Sequence, residues 1–290
     1  MTARRIEYYL LILGLTFFSA LISTDGRYKQ RILGGRFAKR NQFPYITSLC
    51  RRSIGAPKED CIIRRCRHIC GATIIHKEWL ITSKTCFDVF TTEFHIVAGI
   101  LIPFETSGDI QIRRVTKIVH SGNDSFLKDN ISLVRVHQAF KINVTVGIIK
   151  LPKADTVYGS SSYIMGYGVT RPKDRYFVTR LHYMTAPILS LSECREMIRR
   201  NPVTANMKIS DKYICTYPQP NETACEGDTG GPLVSGNILL GIITITIGDC
   251  TQVQFGRFIN LYTRVSNYLS FIHKVLKDRS VGYTDYGTLD

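Results

Sequence analysis

The chain has 290 residues, of which 44% are hydrophobic and 21% charged, and 38 Lys and Arg against 23 Asp and Glu give a net charge of +15. A chain of this length and composition buries a large core, which excludes an intrinsically disordered protein. The positive charge favours encounters with acidic partners such as sulfated glycans, although an ordinary self-repelling surface also accounts for it.

The first residues have the layout of a secretory signal peptide. Arg4 and Arg5 precede an apolar run over residues 8–18, and small residues follow up to Ser23. This pattern assigns residues 1–23 to a cleaved signal, with an uncleaved signal anchor as the alternative. No later segment has the length of a membrane span, so we expect a secreted, extracellular protein with no membrane span after signal removal.

Short runs rich in Ile, Val, Thr, Phe and Tyr, separated by turn residues, predict an all-β protein of the sandwich or barrel kind. The predicted strands are residues 43–49, 73–75, 79–82, 94–98, 111–119, 131–136, 162–166, 238–247 and 258–265. Helical periodicity predicts two helices, over residues 190–200 and 265–277. The polar stretch 277–290 is expected to be a loose tail.

In an exported protein the scattered cysteines predict disulfides. Zinc sites need paired short spacings, and the only close spacings, from Cys61 to Cys70, lack a second pair. We therefore expect no metal and no cofactor. The cysteines are Cys50, Cys61, Cys66, Cys70, Cys86, Cys194, Cys215, Cys225 and Cys250.

Five motifs stand in order along the chain. They are Arg31-Ile32-Leu33-Gly34-Gly35, Cys70-Gly71-Ala72 with Trp79 to Cys86, Asp129-Asn130-Ile131-Ser132-Leu133, Cys225-Glu226-Gly227-Asp228-Thr229-Gly230-Gly231-Pro232, and Tyr262-Thr263-Arg264-Val265. Together they resemble the activation site, the catalytic segments and the last strand of trypsin-like serine proteases. The resemblance implies two six-stranded antiparallel barrels with a C-terminal α-helix, a short propeptide over residues 24–31 and a protease domain over residues 32–276.

The chain departs from this family at the three catalytic positions. The histidine position holds Thr85, the aspartate position holds Asn130, and the serine position holds Thr229. A threonine hydroxyl cannot take up the proton that the imidazole accepts in the triad mechanism, and an asparagine carries no charge to stabilise an imidazolium. We therefore expect no catalytic residue and an inactive protein, similar to the non-catalytic serine protease homologues of insects. A relocated histidine is the alternative source of a base.

The resemblance also assigns roles around the catalytic positions. The N–H groups of Gly227 and Thr229 correspond to the oxyanion hole. Thr223 corresponds to the floor of the specificity pocket, and Thr246 and Asn260 to its two wall glycines, so side chains are expected to fill the slot. Arg31, Ile32 and Asp228 correspond to the activation switch, in which cleavage after the arginine frees an amino group that pairs with the aspartate.

The family pairs Cys70 with Cys86, Cys194 with Cys215 and Cys225 with Cys250. Of the three others, Cys50, Cys61 and Cys66, two are expected to form an internal bridge and one to remain odd, either free or in an intermolecular disulfide. All three flank or lie within a basic loop over residues 51–69, which carries Arg51, Arg52, Lys58, Arg64, Arg65 and Arg67.

Four sequons occur, at Asn123, Asn130, Asn143 and Asn221, and all except Asn130, which is expected to be buried, are glycosylation candidates. The predicted function is a binding or regulatory role in an extracellular protease network, in a reproductive or immune setting. Partners would be extracellular proteins, either active proteases or their substrates, or acidic glycans, and we expect no nucleic acid. The alternatives are a residual hydrolase that uses Thr229 and a glycan-binding module built on the basic loop.

Overall fold

The described residues form thirteen strands and two α-helices. The structure is a computed structural model that describes residues 35–52, 66–87, 93–102, 109–122, 129–154, 161–168, 180–200, 204–217, 222–247 and 259–278. The strands are β1 (Arg36–Phe37), β2 (Ile46–Arg52), β3 (Cys66–His76), β4 (Trp79–Thr82), β5 (Phe94–Ala98), β6 (Gln111–His120), β7 (Ser132–Val136), β8 (Tyr163–Gly166), β9 (His182–Thr185), β10 (Tyr213–Thr216), β11 (Pro232–Ser235), β12 (Ile238–Ile247) and β13 (Ile259–Arg264). The helices are α1 (Leu191–Arg200) and α2 (Leu269–Lys277).

The first lobe is a closed antiparallel barrel with the strand order β2-β3-β4-β7-β6-β5. Every residue of β4 and β5 is buried, as expected for short strands packed inside a closed barrel. Leu49, Ile74, Leu80, Ile96 and Val134 belong to the cluster that fills this barrel. Closure removes the exposed strand edges that would otherwise pair with other chains.

The second lobe is a seven-stranded antiparallel sheet with the order β1-β9-β8-β11-β12-β13-β10. An isolated antiparallel bridge joins Ile188, just after β9, to Thr216 at the end of β10. This bridge links the two sides of the part of the sheet that β8 to β13 form. In place of the expected second closed six-stranded barrel there is thus a seven-stranded sheet, which the short β1 extends at β9 and whose far ends are linked by this bridge. The all-β fold class is confirmed.

A separate cluster of buried residues joins the two lobes. It includes Trp79 and Ile81 of the first lobe, Met165 and Tyr167 of the second, and Ile272 of α2. The hydroxyl of the buried Tyr167 donates to the carbonyl oxygen of Ile100 at 2.8 Å, which satisfies its polar end across the junction. The helix α2 thus packs against a core that both lobes share.

Several predicted elements match the structure closely, including strands 79–82, 94–98 and 238–247. The second predicted helix, over residues 265–277, consists of a 3-10 turn at Val265–Tyr268 followed by α2. Four short strands, β1, β9, β10 and β11, were not predicted, because segments of two to four residues carry too little alternation. The strand β3 is much longer than predicted and begins at Cys66.

The extension of β3 changes the expected basic loop. Residues 51–52 continue β2 and residues 66–69 belong to β3, so both ends of the predicted loop over residues 51–69 are a β-ladder. Arg51 lies directly opposite Arg67, and the next pair in register is Arg52 with Cys66. The remaining loop residues, 53–65, lie outside the described residues.

Three disulfides lie within the described residues. Cys50 is bonded to Cys66, Cys70 to Cys86, and Cys194 to Cys215. Cys225 is also bonded, to a partner outside the described residues, where Cys61 and Cys250 lie. The Cys194–Cys215 bond ties α1 to β10, and α1 itself begins with a capping box in which Ser190 and Glu193 bind each other reciprocally.

No helix in the described part of the chain is long and apolar enough to cross a membrane. The predicted signal peptide, the propeptide and most of the tail lie outside the described residues.

Candidate functional site

The two lobes meet at residues 225–232, the fourth of the five sequence motifs, which we call the glycine-rich loop. The backbone N–H of Gly71 in β3 donates to the carbonyl oxygen of Thr229 at 2.8 Å. A Cβ on Gly71 would lie 2.8 Å from the Cα of Gly231, and a Cβ on Gly230 would collide with the Thr82 hydroxyl and the Gly71 carbonyl. Glycine is therefore required at these positions by close backbone approach.

This contact places Thr229 beside the segment that carries Thr85. The Sγ atom of Cys86 lies 3.8 Å from the Thr229 carbonyl oxygen, and Cys86 directly follows Thr85 in a 3-10 turn. Thr85 in turn donates its backbone N–H to Oδ1 of Asn130 at 3.2 Å. The structure thus brings Thr85, Asn130 and Thr229 to one place at the junction of the lobes.

A chain of hydroxyl groups connects Thr85 with Asn130. The Ser83 hydroxyl donates to Asn130 Oδ1 at 2.8 Å and lies 2.7 Å from the Thr85 hydroxyl oxygen. Because Ser83 has one hydroxyl proton and gives it to Asn130, Thr85 must be the donor to Ser83. The Thr85 hydroxyl proton therefore points at the Ser83 oxygen, and the Ser83 proton points at the asparagine oxygen.

Asn130 is fixed from several directions. It is buried, and its backbone carbonyl accepts a hydrogen bond from the Thr263 hydroxyl at 3.2 Å. Its Nδ2 atom has no hydrogen-bond partner among the described residues. A buried amide nitrogen without a partner costs free energy, so a carboxylate, which only accepts hydrogen bonds, would suit this position's Ser83 and Thr85 donors better.

The neighbouring carboxylate, Asp129, points elsewhere. Asp129 has a φ of 57°, and its Oδ1 atom accepts hydrogen bonds from Tyr268 at 2.8 Å and from Lys212 at 2.9 Å. Its charge is committed to the C-terminal 3-10 turn and to the segment before β10.

His68 binds the same glycine-rich loop. Its Nε2 atom is 2.9 Å from the Gly227 carbonyl oxygen, which can only accept, so Nε2 carries the proton. Its Nδ1 atom is then the acceptor for the Ser48 hydroxyl at 2.6 Å. Burial lowers the pKa of His68 to about 4, so the ring is neutral at physiological pH. Both ring nitrogens are engaged in holding the loop.

The three residues predicted to line the specificity pocket bind one another. The hydroxyl groups of Thr223 and Thr246 each donate to Oδ1 of Asn260 at 3.1 Å. Asn260 and Thr223 are fully buried, and Thr246 is half-buried. The Asn260 side chain occupies the space between the two threonines, so this part of the fold is a packed polar cluster.

Asp228 is a fully buried carboxylate in the glycine-rich loop. Its oxygens accept the backbone N–H groups of Gly168 at 2.7 Å and Cys225 at 3.0 Å. Burial raises its pKa from the ordinary 3.8 to about 6, and these two hydrogen bonds only partly offset that rise. A Cβ on Gly166 or Gly168 would collide with the carboxylate, so the surrounding backbone is shaped around it.

Other predicted site residues are placed as follows. Gly227, with a φ of 92°, and Thr229 lie in the turn whose ends are tied by the hydrogen bonds from Asp228 to Cys225 and from Gly231 to Asp228. Arg31 and Ile32 lie outside the described residues, as do the sequons at Asn123 and Asn221. Asn130 is 1% exposed, whereas Asn143 is exposed.

Sequence reasoning missed three participants: Ser83, Thr263 and Ser48, the last of which binds His68 where that ring holds the loop. The signal for Ser83 was its position two residues before Thr85, because a tight turn brings such residues to the same side. Thr263 lies 133 residues from Asn130, and Ser48 is similarly remote from Gly227, so only the fold joins them.

The closed six-stranded barrel, the second antiparallel sheet and the glycine-rich loop between them define a protease-type two-lobed fold. The trypsin family model matches residues 32–272, and the chain belongs to this family. Similar proteins include trypsin of Xenopus laevis, which is 27% identical over 253 residues, covering 85% of this chain and 91% of the relative. Trypsin I-P1 of Gallus gallus is 28% identical, covering 83% and 88%, and serine protease 1 of Homo sapiens is 26% identical, covering 93% and 99%.

The polar cluster around Asn260 yields a stability prediction. Replacing Asn260 with leucine keeps the approximate volume and leaves the buried Thr223 hydroxyl without its acceptor, but it also removes the Asn260 Nδ2 atom, which has no hydrogen-bond partner among the described residues. We therefore expect a loss of roughly 1–3 kcal/mol in the free energy of unfolding, measured by urea denaturation. Thr246→Val, which removes one donor at a half-buried position, is the matched control and should cost about 1 kcal/mol. Equal stability of Asn260→Leu and the wild type would contradict the cluster.

Proposed function

We propose that this chain is a secreted serine protease homologue that binds a partner in an extracellular protease network and does not hydrolyse peptide bonds. The observation that carries the proposal is the hydrogen-bond chain from Thr85 through Ser83 to Asn130. The residues at the positions of the base and of its orienting carboxylate are Thr85 and Asn130. Both are uncharged, and so is Ser83, which links them.

The chemistry of this chain supports the proposal. An alcohol such as Thr229 becomes a useful nucleophile when a base takes its proton, and a hydroxyl group is no base near neutral pH. His68 cannot supply the base, because its protonated Nε2 donates to Gly227 and its Nδ1 accepts from Ser48. The retained glycine-rich backbone would leave at most about 10³ to 10⁴-fold acceleration over water.

The filled polar cluster supports recognition by a surface instead of a cleft. Asn260 is bonded to both Thr223 and Thr246, so a substrate side chain could enter only by breaking one buried and one partly buried hydrogen bond. That cost opposes peptide binding in the orientation that proteolysis requires. A partner protein, either an active protease or its substrate, would instead meet the outer loops, in the reproductive or immune setting expected from the sequence.

The disulfides support an extracellular location. Three disulfides lie in the described part of the chain and Cys225 is bonded to a residue outside it, and such bonds persist in oxidising compartments. The signal-like N-terminus agrees with this location.

Asp228 supports a retained conformational switch. A buried carboxylate with a raised pKa has no cation against it among the described residues, and an ammonium group would relieve its desolvation. Cleavage after Arg31 would create that ammonium at Ile32. Cleavage would then order the glycine-rich loop, and this ordering would place the binding activity of the protein under proteolytic control.

A second candidate function is the binding of sulfated glycans at the end of the β2–β3 ladder that lies next to the connection between the two strands. Arg51 and Arg67 face each other directly across this ladder, beside the Cys50–Cys66 disulfide. Their positive charges lie next to the remainder of the basic loop, and a sulfated glycan carries the opposite charge. The observation favours a glycan contact in addition to the protein partner.

The first prediction concerns catalysis. After limited cleavage with trypsin, which is then removed, the wild-type protein should show no peptide turnover above buffer and no labelling of Thr229 by a fluorophosphonate probe. The variant Thr85→His, Asn130→Asp, Thr229→Ser should regain labelling, because a carboxylate at position 130 still accepts from the Ser83 hydroxyl and from the backbone N–H of residue 85. It should still not turn over peptides, since Asn260 fills the pocket. Labelling of the wild type at Thr229 would contradict the proposal and favour a residual hydrolase.

The second prediction concerns the switch. In the uncut protein, the free energy of unfolding of the wild type minus that of Asp228→Asn should fall as pH rises from about 4 to about 6. The folded pKa of about 6 lies above the ordinary 3.8, so the advantage of the protonated carboxyl is lost on ionisation, by up to about 3 kcal/mol. Cleavage after Arg31 should abolish this fall and raise the Tm of the wild type only. Identical pH curves before and after cleavage would mean that no switch operates.

The third prediction concerns the arginine pair. Arg51→Ser with Arg67→Ser should lower the salt concentration at which the protein elutes from a heparin column. The control variant, Arg199→Ser with Arg200→Ser, removes the same charge from α1, where both arginines are bonded to Glu196. Equal elution of the two variants would show that the bulk positive charge, and not the arginine pair, binds the glycan.

A further inference from the structure

The segment over residues 142–148 exposes apolar side chains around a sequon. The described residues include six exposed large hydrophobic side chains, and three of them, Ile142, Val144 and Ile148, lie in this segment. Val144 is 71% exposed, the highest value of the six. Single exposed apolar residues are ordinary, but three within seven residues of one surface segment carry a risk of association unless something covers them.

The sequon residue in this segment, Asn143, is held in a fixed turn. Its Oδ1 atom accepts the backbone N–H of Thr145 at 2.9 Å, the Thr145 hydroxyl at 2.8 Å and the backbone N–H of Val146 at 2.8 Å. Its own backbone N–H donates to the Val146 carbonyl at 2.9 Å. These bonds leave Nδ2, the atom that N-glycosylation modifies, outside the turn's hydrogen bonds on an exposed residue.

The other sequon within the described residues has the opposite geometry. Asn130 is 1% exposed, and its side chain binds Ser83 and Thr85 inside the junction of the lobes. A glycan there could not coexist with the fold. Of the two described sequons, only Asn143 can carry a sugar without displacing a buried contact.

We propose that Asn143 carries an N-linked glycan and that this glycan covers the apolar side chains of Ile142, Val144 and Ile148. A bond forms between Nδ2 and the anomeric carbon of an oligosaccharide carried on a lipid pyrophosphate. The bond from that carbon to the pyrophosphate oxygen breaks, the pyrophosphate leaves with the electron pair, and the Nδ2 proton passes to a base of the transferring enzyme. The proposal rests on passage through the secretory pathway, which is part of the proposed function.

The glycan's role follows from its position beside the most exposed apolar side chain. A hydrated oligosaccharide next to Val144 raises the polarity of the segment and blocks the approach of a second molecule. The glycan achieves this while the apolar side chains stay in place. The neighbouring residues hold the segment against the rest of the protein, since Gly147 lies beside Pro44 and Val146 lies beside Gly99. Loss of the glycan should therefore expose an apolar surface that promotes self-association of a correctly folded protein.

Site occupancy is tested on the full chain secreted from a eukaryotic cell line. Digestion with peptide N-glycosidase in ¹⁸O water, followed by peptide mass mapping, should convert Asn143 to labelled aspartate and leave Asn130 unchanged. Unmodified Asn143 in protein recovered from the medium overturns this proposal alone, since export has then occurred. Retention inside the cell overturns the secreted function together with it.

The covering role is tested with three variants at the sequon. Thr145→Val removes the sequon at a buried position with little change in volume, together with the hydroxyl's hydrogen bond to Asn143, and Thr145→Ser keeps both as the matched control. We expect Thr145→Val to form oligomers in size-exclusion chromatography at concentrations where the wild type and Thr145→Ser are monomeric. Adding Val144→Lys to Thr145→Val should restore the monomer. A monomeric Thr145→Val protein, with a circular dichroism spectrum like that of the wild type, overturns the covering role.

Discussion

The close backbone contact between Gly71 and the glycine-rich loop holds the candidate site together. The Gly71 N–H donates to the Thr229 carbonyl, and neither Gly71 nor Gly230 has room for a side chain. Because this contact joins one lobe to the other, it fixes where Thr85 and Asn130 lie relative to Thr229. Any side chain at the contact would push the lobes apart and separate the three positions.

Neutral polar groups take up the buried hydrogen bonds elsewhere in the site. Asn130 accepts from Ser83 and Thr85, and Asn260 accepts from the threonines of the polar cluster. Buried polar positions stay compatible with folding as long as they have partners, whatever chemistry they perform. A protease scaffold can therefore keep its architecture while the side chains at these positions change. Asp228 is the exception, since it is an acid whose burial disfavours the charged form and raises its pKa to about 6.

The elements that were predicted well are those with strong local patterns. The strands β4, β5 and β12 and the helix α1 carry dense β-branched content or a capping box, and their limits follow the sequence closely. The two-residue β1 and four-residue β11 exist because neighbouring strands supply their hydrogen bonds, which no local pattern reveals. The same reason explains the long β3, whose polar start is paired with β2 and joined to it by a disulfide.

The sequence by itself determined the all-β class, the family resemblance and the identity of the residues at the three catalytic positions, because these depend on residue types and order. Only the tertiary structure decided that Ser83 links Thr85 to Asn130 and that Asn260 binds both threonines of the polar cluster. It also decided that Cys50 pairs with Cys66 and that Asn143 is exposed while Asn130 is buried. Hydrogen-bond partners and burial depend on which distant segments the two lobes bring within a few ångströms, and the order of residues along the chain does not encode those distances locally.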